Sequence, residues 1–335
     1  MSDFFLNFES YDGSCPPGVK LPEILIEDKY YKKLNIDQGV SNFEFLKCLC
    51  RQGLKLKDIT SLKNKQEYYN RAKLELEILQ DLGFVDYILL NWDILNFCHE
   101  NDIPTGPGRG SAAGSLVLYL IGVTQVDPIR YELFFERFVS KSRAKKIKGD
   151  DGETYLDGSL LADIDNDIAY EKRQEVISYI ERKYPSRTAK ILTLNTLSSK
   201  LCIKECGKIA GGISEQDMNI VSEYIPKIFG KVVSLDEAYV ESERFNDWAD
   251  KNEKVYKIAK KIHGLIKNSG VHPSGIAISH QKMSEICPLQ MTNDGAIVTG
   301  YDMNWVAELM VKFDILGLRT LSVIYDVCSN INYNP

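Results

Sequence analysis

Asp163-Ile164-Asp165 places two carboxylates two positions apart, and the apolar run Leu309-Met310-Val311-Lys312-Phe313-Asp314-Ile315-Leu316 carries a third. Successive side chains of a strand point to opposite faces, so Asp163 and Asp165 would share a face while Ile164 points into the core. Asp167 continues the same face. Carboxylates that converge on a sheet repel one another unless a cation lies among them. The pattern therefore predicts two neighbouring strands that hold a Mg²⁺ site.

A glycine-rich segment precedes the acidic pair and reads Gly106-Pro107-Gly108-Arg109-Gly110-Ser111-Ala112-Ala113-Gly114-Ser115. Glycines let the backbone approach a phosphate, the two serines offer hydroxyls, and a helix that begins after Ser115 would point its positive end at the ligand. Arg109 and Arg137 are the matching cations. No Lys-Ser or Lys-Thr pair follows the glycines, so a Walker A ATPase is not indicated. The alternative is a tight turn at the start of a helix.

Carboxylates for metal together with backbone donors and arginine for phosphate are what phosphoryl or nucleotidyl transfer needs. Lys312 lies two residues before Asp314 and so on the same strand face, where it would neutralise a leaving group or form a simple salt bridge. His272, in His-Pro-Ser-Gly, would reach phosphate or DNA, or stabilise its own turn.

Composition is that of a globular protein. The chain has 335 residues, is 44% apolar, carries a net charge of −6 and contains eight cysteines without paired zinc-site spacing. Two or three subdomains and reduced thiols are expected. No apolar run is long enough to span a membrane, and the first residues lack a signal-peptide pattern, so a cytoplasmic protein is expected.

Apolar periodicity predicts an α/β mixture. Residues 1–40 form an irregular lead-in, and the spacing predicts amphipathic helices over 42–50 and 68–82 and a buried helix over 87–98. Residues 131–139 fit a short helix or a strand. An Asp-Gly turn signal predicts a hairpin over 145–156.

Further helices and strands are predicted in the second half of the chain. A helix over 171–183 and a strand over 189–194 precede an almost wholly helical stretch from Ser198 to Lys267, after which strands return. Its lysines from Lys251 to Lys267 either follow a nucleic-acid backbone or form a solvated helix face.

The chain resembles the palm and thumb of C-family bacterial replicative DNA polymerases, the catalytic alpha subunits of the replicase. The matching blocks are Gly-Pro-Gly-Arg-Gly-Ser, Leu-Phe-Phe-Glu-Arg-Phe, Asp-Ile-Asp-Asn-Asp and Lys-Phe-Asp-Ile-Leu-Gly-Leu-Arg-Thr-Leu, in this order. Two departures stand out, Ala162 where the family usually has proline and an inserted hairpin over 143–160.

The resemblance implies a DNA polymerase beta-like nucleotidyltransferase palm with an inserted helical thumb. Residues 1–194 would form the first part of the palm with its N-terminal lead-in, residues 195–267 the thumb, and residues 268–335 the second part of the palm. The resemblance assigns two Mg²⁺ ions, with Mn²⁺ as a substitute, to three aspartates, and it assigns a basic residue and several loop residues to the incoming triphosphate. These positions are Asp163, Asp165 and Asp314 for metal, Lys312 for the basic residue, and Gly110, Ser111 and Arg137 for the triphosphate. The glycine-rich pattern of the loop adds Gly108 and Arg109 to the predicted triphosphate site.

The implied function is template-directed nucleotidyl transfer from a dNTP to a primer 3′-hydroxyl on primer-template DNA. The chain stops near where the fingers of the family begin, so a further chain or a C-terminal segment is expected to supply them, and activity in isolation is expected to be weak or absent. Two other functions remain open. One is a non-catalytic DNA-binding or assembly subunit that keeps the palm fold, and the other is a nucleotidyltransferase of small substrates.

Overall fold

The computed structural model describes residues 17–139, 146–149, 152–157, 164–292 and 295–331. The described residues fall into two compact units, residues 17–191 with 272–331, and Leu192–Val271. No helix in the described residues is long and apolar enough to cross a membrane. The assignment of residues 1–194 and 268–335 to a palm, and of 195–267 to a thumb, stays a prediction.

Fourteen helices are found in the described residues, and they are numbered in chain order. They are α1 Asp28–Leu34, α2 Asn42–Leu56, α3 Lys65–Asp81, α4 Val85–Glu100, α5 Leu116–Leu120, α6 Arg173–Lys183, α7 Ser199–Gly211, α8 Glu215–Glu223, α9 Leu235–Glu241, α10 Glu243–Lys251, α11 Glu253–Ile262, α12 Met283–Ile286, α13 Met303–Leu309 and α14 Arg319–Asn330.

The described residues also contain ten strands. They are β1 Lys146–Lys148, β2 Thr154–Leu156, β3 Asp165–Ala169, β4 Thr188–Thr196, β5 Lys227–Ile228, β6 Lys231–Val232, β7 Ile266–Ile278, β8 Leu289–Met291, β9 Ile297–Asp302 and β10 Val311–Leu318. The predicted α/β mixture is therefore confirmed.

A six-stranded mixed sheet organises the first unit, in the order β3-β10-β7-β4-β9-β8. β3 and β10 are parallel, whereas β10 and β7 are antiparallel. β3 and β4 precede residues 197–265, and the other four strands of the sheet follow them, so distant parts of the chain pair in one sheet. This pairing brings the two acidic segments of the sequence together.

The apolar side of β3 and β10 packs on helix α4. Most side chains from Tyr87 to Leu95 are buried, which explains why this helix is apolar on nearly all sides. The ring of Tyr87 lies 5.7 Å from that of Phe313 on β10. A buried polar contact fixes the strand against the helix, because Asn166 Nδ2 of β3 donates to Asn91 Oδ1 of α4 at 3.0 Å. The face of β3 that carries Asp165 and Asp167 therefore points away from α4.

The second unit is mainly helical and has a core of its own, as the amphipathic pattern of residues 198–267 predicts. Ile203, Met218, Phe245 and Ala259 are among the fully buried side chains of this core. Ser234 begins α9 with a capping box, in which Glu237 Oε2 accepts from the Ser234 backbone N–H. A short hairpin of β5 and β6 interrupts the helices.

Three local predictions were wrong or incomplete. The lead-in contains a helix, α1, which the proline-rich surroundings concealed. Residues 131–139 form only a 3₁₀ turn, Phe135–Arg137, because Glu132 adopts a left-handed φ of 52° and interrupts regular structure. β7 begins at Ile266, earlier than the strand predicted from Gly275. The 145–156 hairpin is confirmed over β1 and β2, whereas Asp150 and Asp151 lie outside the described residues.

Candidate active site

Asp165 and Asp314 stand opposite each other on adjacent parallel strands. The register pairs Asp314 with Asp165 and Leu316 with Asp167. Neighbouring strands lie about 4.8 Å apart, and directly opposed residues point to the same face of the sheet. The structure therefore brings together these two predicted site residues, although they are 149 positions apart in the sequence.

Arg109 connects the glycine-rich loop to the acidic face of β3. Its Nη2 lies 3.4 Å from Asp165 Oδ2, and its Nε lies 3.2 Å from Asp167 Oδ2. Half of the arginine side chain is exposed, whereas that of Asp167 is 8% exposed. Burial raises the pKa of the Asp167 carboxyl; Arg109 opposes this shift, and the charge of Asp165 adds to it. One arginine thus partly neutralises two carboxylates.

Asp314 is held from two sides. Lys312 Nζ lies 2.8 Å from Asp314 Oδ2, and Ser274 Oγ donates to Asp314 Oδ1 at 3.1 Å. Within β7, His272 Nδ1 accepts from the Gly275 N–H at 2.7 Å. His272 therefore binds the backbone of its own segment, although this segment is part of a strand and not the predicted turn. Burial and the nearby charge of Lys312 lower its pKa.

The beginning of the glycine-rich loop runs beside β3. The Gly106 N–H donates to the Asp167 carbonyl at 2.9 Å, and a Cβ at Gly106 would come within 2.8 Å of Asp167 Cβ. Gly108 has a φ of 91°, and a Cβ there would meet Thr124 Cγ2 at 2.7 Å. Glycine is required at both positions, because they bring the loop backbone against the acidic strand.

The end of the loop differs from the prediction. Ser115 and the start of α5 were expected to offer a hydroxyl and free N–H groups to phosphate, but Glu75 accepts from three of these donors and Ser115 Oγ accepts from the Leu118 N–H. Glu75 Oε2 accepts from Ser115 Oγ at 2.9 Å and from the Val117 N–H at 3.0 Å, and Oε1 accepts from the Leu116 N–H at 3.0 Å. Phosphate binding by this helix N-terminus was therefore wrongly predicted.

Glu75 belongs to a buried network with Arg71, one turn earlier on α3. Arg71 Nε lies 2.7 Å from Glu75 Oε1, and its Nη2 donates to the carbonyls of Gly114 and Leu133 at 3.2 Å. Burial raises the pKa of the Glu75 carboxyl, whereas its hydrogen bonds and Arg71 lower it. Through this network α3 fixes both the end of the loop and the segment that leads to Arg137.

The remaining predicted residues lie around the loop. Gly110 has a φ of 63° and open space around it, and the Ser111 carbonyl accepts from the Gly114 N–H at 3.0 Å. Arg137 is exposed at the end of its 3₁₀ turn and forms no ion pair with any carboxylate that the structure describes. Asp163 lies outside the described residues.

The donor set fits a divalent cation in its chemistry. Asp165, Asp167 and Asp314 share one face, and Asp167 Oδ1 is buried without a hydrogen-bond partner. Carboxylate oxygens are the ligands that Mg²⁺ prefers. Among the described residues no group of three acidic, histidine or cysteine side chains is close enough to hold a metal, and Asp163 is not one of these residues. Arg109 and Lys312 pair with the carboxylates instead.

Residues 44–317 match a family model described as the bacterial DNA polymerase III alpha NTPase domain. This match covers more than half of the chain. The chain belongs to the bacterial DNA polymerase III alpha family. The resemblance inferred from the sequence is thereby confirmed.

Curated members of this family are similar to the chain over most of its length. The DNA polymerase III subunit alpha of Bacillus subtilis is 34% identical over 298 residues, which cover 88% of this chain and 25% of that protein. The subunit of Chlamydia trachomatis is 36% identical over 337 residues, covering 96% of this chain and 25% of that protein. The chain thus spans about a quarter of the length of these polymerase III alpha relatives.

Two parts of the candidate site were not predicted from the sequence. Glu75 follows Tyr68 and Ala72 and precedes Leu79 on the buried stripe of α3. A charged residue on such a stripe is the signal that could have indicated a buried partner. Ser274 gave no comparable signal, because its contact with Asp314 depends on the pairing of β7 with β10.

Proposed function

We propose that this chain is the palm and thumb part of a template-directed DNA polymerase that transfers a nucleotidyl group from a dNTP to a primer 3′-hydroxyl. The first unit would be a DNA polymerase beta-like palm and the second unit the thumb. The observation that carries the proposal is the register that sets Asp314 opposite Asp165 on adjacent strands. Membership of the polymerase III alpha family supports it.

In this proposal Asp163, Asp165 and Asp314 hold two divalent cations, Mg²⁺ or Mn²⁺. When bound, the cations would supply Lewis-acid stabilisation of the phosphate charge that develops during transfer. The buried and unpartnered Oδ1 of Asp167 supports a cation beside this strand.

The basic residues would orient the triphosphate. Arg109 reaches Asp165 from the loop that carries Gly108, Gly110 and Ser111, so a cation on Asp165 would compete with its guanidinium. A displaced Arg109 remains beside the loop backbone, where it can pair with a phosphate bidentately. Lys312 would stabilise the pyrophosphate that leaves, and Arg137 would contact the triphosphate from the far end of the loop.

A fingers segment from a further chain, or from a C-terminal continuation, would complete the nucleotide pocket. Helix α14 has no buried residue and exposes Val323, Ile324 and Val327, an apolar surface of the kind that another polypeptide segment covers. We therefore expect weak extension by the chain alone and stronger extension when a fingers segment is supplied.

Primer extension and thermal unfolding together test the proposal. The chain, alone and with a fingers segment added, is incubated with primer-template, dNTPs and Mg²⁺ or Mn²⁺, and its unfolding temperature is measured with and without each metal. Metal-dependent stabilisation with template-dependent extension is expected. If the chain shows no metal-dependent stabilisation and no primer extension, the proposal is contradicted and a non-catalytic DNA-binding subunit is favoured.

A further inference from the structure

The second unit carries a hairpin whose tip is apolar and fully exposed. β5 and β6 pair Lys227 with Val232 and Ile228 with Lys231, which leaves a two-residue loop of Phe229 and Gly230. The φ angles of these two residues are 48° and 80°, as a type I′ turn requires. The relative exposure of Phe229 is 101%, and Ile228 and Val232 are also exposed.

Folding does not account for an aromatic residue at this position. Asparagine, aspartate and glycine are preferred in a type I′ turn, whereas a bulky residue at positive φ is disfavoured. Phe229 also gains no burial that would offset this cost. The described part of the chain therefore supplies no contact that explains its presence.

The base of the hairpin is firmly attached to the core of the second unit. Ile225 and Val233, which flank the hairpin, are buried in that core. Ser199 Oγ donates to the Val233 carbonyl at 2.7 Å, and the Val233 N–H donates to the Pro226 carbonyl at 3.3 Å. The tip is therefore presented by a short, anchored support.

The hairpin is also basic. Among the residues that the structure describes, neither Lys227 nor Lys231 has an ion-pair partner, whereas Lys257 of α11 pairs with Glu253. Lys200 forms a salt bridge with Glu223, and together with Lys227 and Lys204 it lowers the pKa of that carboxyl. Lys227 thus acts on the same carboxylate as two lysines of α7.

We propose that Phe229 and the two hairpin lysines bind single-stranded DNA. An exposed aromatic ring stacks on unpaired bases of any sequence, and flanking lysines neutralise the phosphates between them. A duplex suits this tip less well, because its bases already stack on one another. The choice of DNA rests on the proposed polymerase function, and an unpaired template strand is the ligand of this class that a polymerase encounters.

Fluorescence anisotropy of a labelled oligothymidylate of about 20 nucleotides, titrated with the full chain, tests the proposal. This length exceeds the about 4–16 nucleotides that the single-strand sites of OB-fold proteins span. Phe229→Ala should weaken binding at least about fivefold, as loss of one stacked base does. Val240→Ala, which removes another exposed apolar side chain of the same unit, should leave binding unchanged.

Two further variants report on the mode of contact. Phe229→Trp should keep the affinity for the oligothymidylate. Its tryptophan fluorescence, after subtraction of the signal of the wild-type tryptophans, should be quenched on binding. Lys227→Ala combined with Lys231→Ala should lower the slope of log affinity against log salt by about 1.4, because each lysine contributes about 0.7 on single strands.

The proposal is overturned if Phe229→Ala binds the oligothymidylate like wild type. It is also overturned if the substitution weakens blunt duplex binding equally, or if only vesicles of anionic phospholipid bind in a Phe229-dependent way. Asp314→Asn separates the two proposals, because it should lose primer extension and keep Phe229-dependent binding. Such binding by a chain that never extends primers would contradict the polymerase proposal alone.

Discussion

Asp314 of β10 lies directly opposite Asp165 of β3, and each carboxylate is paired with a cation from a different segment. Arg109 comes from the glycine-rich loop, and Lys312 comes from β10 itself. Like charges opposed on a sheet are destabilising, so these two cations explain how the acidic face is tolerated without metal. The same pairing makes the consequences of substitutions predictable.

Asp314→Asn should weaken Mn²⁺ binding to the chain at least about tenfold, because it removes a ligand charge from the cluster. The affinity is measured by titrating the chain with Mn²⁺, with electron paramagnetic resonance giving the concentration of free Mn²⁺. Asp326→Asn is the matched control, since Asp326 is exposed on α14 and makes the same charge change. Equal Mn²⁺ affinities for the two variants would show that Asp314 is not a metal ligand.

Arg109→Ala should destabilise the metal-free chain by about 1 kcal/mol or less, because a half-exposed ion pair contributes little, and should increase the stabilisation that Mn²⁺ produces. The reason is that the metal no longer competes with the guanidinium for Asp165. Thermal unfolding with and without Mn²⁺ measures both effects. Arg182→Ala, at an exposed position of α6, serves as the control. A smaller metal effect in Arg109→Ala than in the control argues against competition.

Glu75→Ala should lower the free energy of unfolding by about 3–5 kcal/mol, because it leaves Arg71 and the donors at the start of α5 buried without their partner. Glu77→Ala, two positions along the same helix and exposed, should change it by about 0.5 kcal/mol or less. Urea unfolding of both variants is the measurement. Similar losses in the two would mean that the Glu75 network does not stabilise the loop.

Gly108→Ala should be more destabilising than Gly110→Ala by about 1–3 kcal/mol. Both residues have a positive φ, but only the Cβ at position 108 would collide with Thr124, at 2.7 Å. The pair therefore separates the steric cost from the cost of the backbone conformation. Chemical denaturation of the two variants provides the comparison, and equal stabilities would contradict the close packing of the loop on Thr124.

Replacement of His272 by asparagine should reduce the loss of stability on acidification. The pKa of His272 is lowered below its ordinary value of 6.5 in the folded chain. Below pH 6.5 the unfolded chain therefore binds more protons than the folded chain, and stability decreases as the pH decreases. Asparagine can accept from the backbone N–H groups of Ser274 and Gly275 as His272 Nδ1 does, but it does not titrate. Unfolding free energies at pH 8 and pH 5.5 measure the difference; an unchanged pH dependence in His272→Asn would exclude this contribution.

The local elements of the site were predictable because their signals are contiguous. Apolar spacing indicated α2, α3 and α4, and the alternation around Asp165 and Asp314 indicated two strands. The glycines of the loop indicated a close approach of the backbone, and Gly106 and Gly108 do approach Asp167 and Thr124. Each of these inferences depends on neighbours within one segment.

The contacts of the loop were predicted less well. The start of α5 has the features of a phosphate site when it is read alone, because a serine precedes free N–H groups. Glu75 lies about 40 positions earlier and accepts those donors in the folded chain. No local pattern specifies that encounter, since it depends on how α3 packs against α5.

The amino-acid sequence by itself indicated the acidic strands, the glycine-rich loop, the secondary structure around them and membership of the polymerase III alpha family. Only the tertiary structure decided that Asp165 lies opposite Asp314 and that Arg109 pairs with both Asp165 and Asp167. It also decided that the Glu75 carboxylate accepts from the backbone N–H groups at the start of α5. The physical reason is one of range. Side-chain periodicity is set by the backbone of a single segment, whereas strand register and buried ion pairs are set by packing between segments that are far apart in the chain.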